Sequence, residues 1–203
     1  SNIKRYSPPP FKPLAKPDSG IQLHVEPFEV PSNFEREFFI YKNLNNEAPV
    51  YVNRVQIEMR PGSHHFIGYL LDSSQPLFSL AKRLFVPNKI RDLHLPSGQD
   101  DPLVLASMAY HDFVAGTQPP RYDYEFPKGV ALRLPANTGL DMNTHYVNRS
   151  NESFEGEVYM NIHTIDKDDV KYEAKIINMN NIDIELPPNK VTTITKDFLA
   201  DEK

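Results

Sequence analysis

Apolar and polar side chains alternate along most of the chain after residue 20. The segment 21–30, IQLHVEPFEV, shows this pattern clearly, with apolar residues at every second position over its first half. Such alternation is typical of a β-strand that buries one face and exposes the other. Proline and asparagine residues separate this segment from those that follow, as turn residues do. The pattern therefore predicts a chain built mainly from short β-strands.

The same alternation recurs along the rest of the chain, with one interruption. We predict further strands over 35–42, 50–59, 63–71, 103–116, 129–136, 139–148, 154–165, 170–179, 182–187 and 190–197. The interruption contains one short helix within 79–90, ended by Pro87, and a loop over 93–102. Turn signals about every 8–12 residues favour an all-β fold, an antiparallel β-sandwich of jelly-roll type with little helix.

Proline content divides the chain into three parts. The sequence has 19 prolines in 203 residues, about twice the usual share. Residues 1–20 are rich in proline and lysine, and we predict that they form an extended arm or linker. We assign residues 21–186 to one sandwich domain and residues 187–203 to a C-terminal strand or linker. A domain of this length can bury a sufficient core without disulfides or a metal ion.

Charge and composition argue against several classes of function. The formal net charge is −5, and lysine and arginine are scattered, whereas surfaces that bind nucleic acids are usually basic. No apolar run approaches the ~18 residues of a membrane span. The chain has no cysteine, which excludes disulfides, thiolate metal sites and cysteine nucleophiles. We therefore expect neither a nucleic-acid partner nor a membrane-spanning segment.

Histidine is the remaining candidate for metal chemistry. The seven histidines stand at positions 24, 64, 65, 94, 111, 145 and 163. Imidazole nitrogen suits copper and zinc, and no thiolate competes with it here. The sequence lacks the glycine-rich, nucleophile-elbow and His-Glu-x-x-His motifs of the common catalytic sites. If the chain binds a soft or borderline metal ion, histidine is therefore its candidate ligand.

The adjacent pair His64 and His65 follows the dipeptide Pro61-Gly62. Neighbouring side chains of a regular strand point to opposite faces, so the pair can share one metal ion only if the backbone twists or bulges. Pro-Gly is a natural place for such a kink. The alternative is that one ring is buried while the other faces solvent. Both arrangements are compatible with the residues alone.

His145 lies in the segment 139–148, GLDMNTHYVN, which has an unusually polar face. Asp141, Asn143 and His145 alternate with Leu140, Met142, Thr144 and Tyr146. A polar face of this kind either borders a functional site or faces solvent. The side chain of Asn143, together with Tyr110 or backbone carbonyls, could accept a hydrogen bond from a ligating histidine.

Two segments resemble one family of enzymes. IEMRPGSHHFIGYLL at 57–71 and FVAGTQPPRYDYEFPKGVALRLPANTGLDMNTHYVN at 113–148 are similar to the first domain of the copper type II, ascorbate-dependent monooxygenases. This family includes peptidylglycine α-hydroxylating monooxygenase and dopamine β-monooxygenase. The shared features are the His-His pair, the Pro-Pro turn, the Pro-Lys-Gly-Val segment and a strand ending in His-Tyr, in the same order. The resemblance spans about residues 55–165, more than half of the chain.

The resemblance implies a metal and its ligands. In this family the first of two β-sandwich domains holds, with three histidines, the copper ion that supplies an electron. By matching motif, the resemblance assigns one copper ion per chain to His64, His65 and His145. It leaves His24, His94, His111 and His163 outside the set of ligands. Of these, His111 is closest to the matched segment and could support a ligand.

The resemblance also implies partners and a compartment. The second domain of the family binds its copper with a His-x-His pair and a methionine, and this sequence has no His-x-His. We therefore expect a copper-binding redox domain that does not hydroxylate by itself and works with a second copper domain or an electron donor. Because the animal enzymes are rich in disulfides, the absence of cysteine indicates a bacterial relative, with a periplasmic, cell-surface or secreted location. The alternative is a non-enzymatic cell-surface β-sandwich that binds a partner, with structural or vestigial histidines.

Overall fold

Two mostly antiparallel β-sheets pack face to face in this protein, which confirms the predicted β-sandwich with little helix. The computed structural model describes residues 10–179, 181 and 183–199. Over these residues the strands are β1 Gly20–Val30, β2 Glu35–Asn43, β3 Val50–Met59, β4 Ser63–Leu71, β5 Ile90–Asp92, β6 His111–Thr117, β7 Arg121–Glu125, β8 Val130–Leu134, β9 Gly139–Val147, β10 Phe154–Ile165 and β11 Tyr172–Ala174.

The helices are short and lie between β4 and β6. They are α1 Phe78–Ala81 and α2 Pro102–Ser107, with single 3-10 turns at Lys82–Leu84, Met108–Tyr110 and Lys167–Asp169. The prediction of one short helix within 79–90 is confirmed, because α1 and the turn that follows it end before Pro87. In the part of the chain that the structure describes, no helix has the length and apolar character needed to cross a membrane.

The first sheet has the strand order β1-β10-β3-β8-β11, with β7 also paired to β3, and the second sheet has the order β5-β2-β9-β4-β6. The pairing of β8 with β11 is parallel. Apolar residues at alternate positions on the inner faces form one core between the sheets. Among its fully buried members are Val30, Phe38, Val52, Ile57, Phe66, Leu134, Leu140, Tyr146, Val158 and Met160.

The predicted strand over 103–116 is wrong in its first half. Residues 102–107 form α2, a 3-10 turn follows, and the strand begins only at His111. The side chain of Asp101 accepts hydrogen bonds from the backbone N–H groups of Leu103 and Val104, and Pro102 occupies the first turn. An acidic N-cap followed by proline is a helix start signal, and here it decides between helix and strand for a segment that is apolar throughout.

The C-terminal strand predictions are also wrong for the described residues. Strand β11 covers only Tyr172–Ala174 of the predicted 170–179, and no strand forms over the described residues of 182–187 or over 190–197. A strand is stable only where a neighbour supplies backbone partners, and β11 already lies at the edge of the first sheet. The alternation of side chains does not reveal whether such a neighbour exists. Conversely, β5 and β7 are short strands that the pattern did not predict.

The N-terminal arm lies against the outer face of the first sheet. The side-chain amide of Gln22 donates to the carbonyl of Leu14, and that of Asn161 donates to the carbonyl of Ala15. The ring of Phe11 lies 6.2 Å from that of Tyr159. The described residues 10–19 of the predicted arm form neither helix nor strand and contact the sheet, and β1 begins at Gly20. Residues 1–9 lie outside the described residues.

Candidate metal centre

A β-bulge in β4 places two adjacent histidines on the same side of the second sheet. In the register with β9, Ser63 pairs with Tyr146 and His65 pairs with His145, which leaves His64 as one extra residue in β4. An extra residue of this kind bends the strand and redirects its side chain. The bulge lies just after Gly62, whose φ of 98° is a backbone conformation that glycine adopts readily. The backbone distortion that a shared site requires is therefore present.

The three predicted ligands His64, His65 and His145 meet on this face. The Nδ1 atom of His65 lies 3.1 Å from Nδ1 of His64 and 3.4 Å from Nδ1 of His145. Candidate ligand atoms of all three side chains fall within 4.8 Å of one another. His145 is buried, His65 is half-buried and His64 is exposed. The group can therefore bind one metal ion that is held by the sheet and reachable from solvent.

The hydrogen bonds on the far side of two rings fix which nitrogen faces the centre. Nε2 of His65 lies 2.6 Å from Oδ1 of Asn143, and the amide Nδ2 of Asn143 donates to Glu37. Because Oδ1 of Asn143 can only accept, Nε2 of His65 carries a proton and donates. Nε2 of His145 donates to the carboxylate of Glu35 over 2.8 Å. When these two rings are neutral, both therefore present an Nδ1 lone pair to the centre.

The ring nitrogens of the three histidines are arranged as metal ligands would be. Lone pairs of imidazole nitrogens 3.1–3.4 Å apart repel one another unless a proton or a metal cation lies between them. A ligating histidine usually donates a hydrogen bond from its other ring nitrogen to a nearby acceptor. Asn143 and Glu35 provide such partners for His65 and His145. Three imidazoles, two of them supported in this way, fit copper or zinc.

The carboxylate of Glu37 dominates the electrostatics of the centre. Burial raises its pKa, but the nearby rings of His65 and His145 and the hydrogen bond from Asn143 outweigh burial and lower the pKa to about 2. Burial lowers the pKa of His65, but interaction with Glu37 and Asn143 outweighs it and raises the pKa. Burial lowers the pKa of His145, and the carboxylates of Glu37 and Glu35 offset this only in part. The site thus favours positive charge near His65.

The polar face of β9 continues from the centre into a buried ion network. The carboxylate of Asp141, fully buried, accepts hydrogen bonds from Arg91 and lies 2.8 Å from Nε2 of His111. The ring of Tyr69 stacks on that of His111 with centroids 4.5 Å apart. This half of the outer face is covered by the segment between β4 and β6, whereas the other end of the face includes the exposed His64. The polar face of 139–148 therefore borders a site at one end and is structural at the other.

The other four histidines each have a different partner. Ring nitrogens lie within hydrogen-bond distance of Glu157 for His24, Asp100 for His94, Asp141 for His111 and Gln56 for His163. None of them joins the group of His64, His65 and His145. Tyr110, one of the predicted supporting residues, donates instead to the carbonyl of Pro76. Asn143 is thus the predicted supporting side chain that contacts a ligand.

Glu35 and Glu37 are the site residues that the sequence did not reveal. Both lie on β2, where Glu37 pairs with His145 and Glu35 pairs with Val147. Alternation over 35–42 shows that these two residues share a face, but it does not show that β2 is the neighbour of β9. The signal that could have found them is a pair of acidic residues at alternate positions directly before the apolar run 38–41.

Comparisons with known proteins add no identification. No protein-family model matches this chain, and no curated protein matches it. The monooxygenase resemblance of residues 57–71 and 113–148 therefore stays a prediction. The structure by itself shows a β-sandwich with a group of three histidines that could bind a metal ion.

Proposed function

We propose that this protein is a copper-binding redox domain that binds one copper ion at His64, His65 and His145 and exchanges electrons with a partner. The observation that carries the proposal is the convergence of Nδ1 atoms from three imidazoles, 3.1 and 3.4 Å apart, across a strand bulge. A bound copper ion would supply one-electron chemistry by alternating between Cu(I) and Cu(II). Neutral imidazoles suit both states, so no protein ligand needs to be exchanged.

Copper is favoured over other divalent metals by the chemistry of the donor set. Imidazole-rich sites bind Cu(II) more tightly than the other first-row divalent ions, including zinc. The order of the His-His pair, the Pro-Pro turn and the His-Tyr strand, similar to the copper monooxygenases, supports the same choice. The exposure of His64 supports an electron-transfer role, because a donor or a second copper domain could approach the centre from that side. Hydroxylation by this domain alone is not part of the proposal.

Copper titration of single variants tests the assignment. We expect the wild type to bind about one tightly held copper ion per chain. The variants His64→Ala, His65→Ala and His145→Ala should each bind copper more weakly by orders of magnitude, because the ion loses one of three protein ligands. His94→Ala is the matched control, since His94 lies in an exposed loop away from the centre. It should bind copper as the wild type does.

Electron paramagnetic resonance of the Cu(II) form gives an independent readout, with hyperfine coupling to imidazole nitrogens expected in the wild type. Unchanged affinity in His64→Ala or His65→Ala would show that only one member of the pair is a ligand. Absence of tight copper binding in the wild type would instead support the alternative of a non-enzymatic binding module.

A further inference from the structure

The carboxylate of Glu37 lies beside the nitrogen of His145 that faces the centre and behind the ring of His65. Its Oε2 atom is 3.7 Å from Nδ1 of His145, the nitrogen that faces the centre. Its Oε1 atom accepts a hydrogen bond of 3.0 Å from Nδ2 of Asn143 and lies 3.7 Å from Nε2 of His65. The Glu37 side chain is 18% exposed. A negative charge is therefore held at a fixed, poorly hydrated position next to the centre.

Glu35 provides a comparison within the same strand. Its carboxylate contacts Nε2 of His145, on the far side of that ring, and is 45% exposed. It also lies 3.4 Å from the guanidinium of Arg149, which neutralises part of its charge. Two carboxylates of β2 thus contact the same histidine, but only that of Glu37 lies near the nitrogen that faces the centre.

We propose that the carboxylate of Glu37 determines which oxidation state of copper the centre favours, by stabilising Cu(II) relative to Cu(I). The inference rests on the proposed function, because it requires copper at the three histidines. Neutral imidazoles leave the full charge of the ion uncompensated. A nearby negative charge attracts a divalent ion twice as strongly as a monovalent ion, so the gain on oxidation equals one charge–charge interaction. Asn143, which contacts both Glu37 and His65, holds the carboxylate in place.

The test separates affinity for the two oxidation states. Dissociation constants for Cu(I) and Cu(II) are measured by competition with chromophoric chelators, in the wild type and in Glu37→Gln. Glutamine keeps the shape and can still accept the hydrogen bond from Asn143, so the substitution removes only the charge. We expect the ratio of Cu(II) affinity to Cu(I) affinity to fall by about 10–100-fold, as one partly screened charge pair predicts. The reduction potential should rise by about 59 mV for each tenfold change in this ratio.

Glu35→Gln is the matched control, because it removes the same charge from the same strand and the same histidine. We expect it to change the affinity ratio by less than about threefold, since the charge is exposed and paired with Arg149. A second variant, Glu37→Asp, keeps the charge but withdraws it from the centre. It should also lower the ratio of Cu(II) affinity to Cu(I) affinity, but by less than Glu37→Gln does.

The possible failures are distinguishable. If the wild type and Glu37→Gln bind copper with the same affinity ratio, the inference on Glu37 is wrong while the copper site stands. If Glu35→Gln changes the ratio as much as Glu37→Gln, the position of Glu37 has no special effect and the inference is again wrong. If Glu37→Gln does not fold, an unchanged affinity ratio in Glu37→Asp would equally show that the inference on Glu37 is wrong. A wild type that binds no copper overturns the proposed function itself.

Discussion

At the scale of single residues, Asp141 carries a charge that its surroundings constrain closely. Its carboxylate is fully buried and accepts two hydrogen bonds from Arg91, whose side chain is itself 9% exposed. Arg91 also donates to Ser107 at the end of α2, and His111 contacts the same carboxylate. The network thereby ties β5, α2 and β6 to the outer face of β9. Removing one partner would leave the others buried without compensation.

We therefore expect Asp141→Asn to reduce the free energy of unfolding by about 3–5 kcal/mol, the usual cost of leaving a buried charge unpaired. The measurement is chemical denaturation of the metal-free protein. The control is Asp92→Asn, because Asp92 pairs with Arg36 at an exposed site and its side chain is 46% exposed. That substitution should cost less than about 1 kcal/mol. Equal losses in the two variants would contradict a special role for burial at Asp141.

The grouping of the three histidines could be predicted from the sequence, whereas the residues that contact them could be predicted only in part. His64, His65 and His145 were assigned by their motifs, and Asn143 by its place on the polar face of 139–148. Glu37 reaches the centre because β2 pairs with β9 more than a hundred residues along the chain. Local alternation contains no information on such long-range pairing, which depends on how the whole sheet assembles.

At the scale of elements, the connection from β3 to β4 determines the geometry of the histidine pair. The chain leaves the first sheet at Met59, turns at Pro61-Gly62 and enters the second sheet at Ser63. Gly62 has a φ of 98°, and a Cβ atom there would meet the ring of Phe154 at 2.5 Å. The backbone N–H of Val147 donates to the carbonyl of Gly62, which fixes the turn against β9. The bulge at His64 begins two residues after this turn.

We expect Gly62→Ala to reduce stability by about 1–3 kcal/mol, because it adds both backbone strain and a steric clash. Copper affinity should fall as well, since relief of the clash shifts the bulge. Gly98→Ala is the control: Gly98 has a φ of 82°, but a Cβ atom there would contact nothing within 4 Å. It should cost about 1 kcal/mol and leave copper affinity unchanged. Denaturation curves and copper titrations check both expectations. Unaltered copper binding in Gly62→Ala would show that the conformation of this turn does not determine copper affinity.

Sequence alternation predicted the long strands of the sandwich better than its short elements. The strands β1, β3, β4, β9 and β10 coincide with predicted segments to within a residue at each end. The segment 103–107 reads equally well as helix or strand, and only the cap at Asp101 makes it helical. The segments 182–187 and 190–197 alternate, yet their described residues form no strand, because pairing requires a neighbour that the pattern does not specify.

At the scale of the whole molecule, the metal centre and the core occupy different faces of the second sheet. Leu140, Met142 and Tyr146 point into the core between the sheets, whereas Asn143 and His145 point outward. The apolar core includes none of the three histidines. We therefore expect burial between the sheets to hold the sandwich together without a metal ion.

The triple variant with His64, His65 and His145 all replaced by alanine should accordingly fold. We expect its metal-free melting temperature to fall by no more than about 8 °C, equivalent to about 2 kcal/mol in a domain of this size. Far-UV circular dichroism should remain that of a β-protein. For comparison, Phe66→Ala, at a fully buried position of the same strand, should cost about 3–5 kcal/mol. Loss of folded structure in the triple variant would mean that the centre is part of the folding core.

The bulge at His64 also has a consequence for inheritance. The smallest insertion that keeps a gene in frame adds a single residue, and β4 differs from a regular partner of β9 by one residue, a histidine. The pairing resumes on both sides of it, so deletion of the His64 codon would remove one of the proposed ligands and leave β4 and β9 with an ordinary ladder. A single genetic step is therefore enough to abolish the proposed metal site while the sandwich is kept.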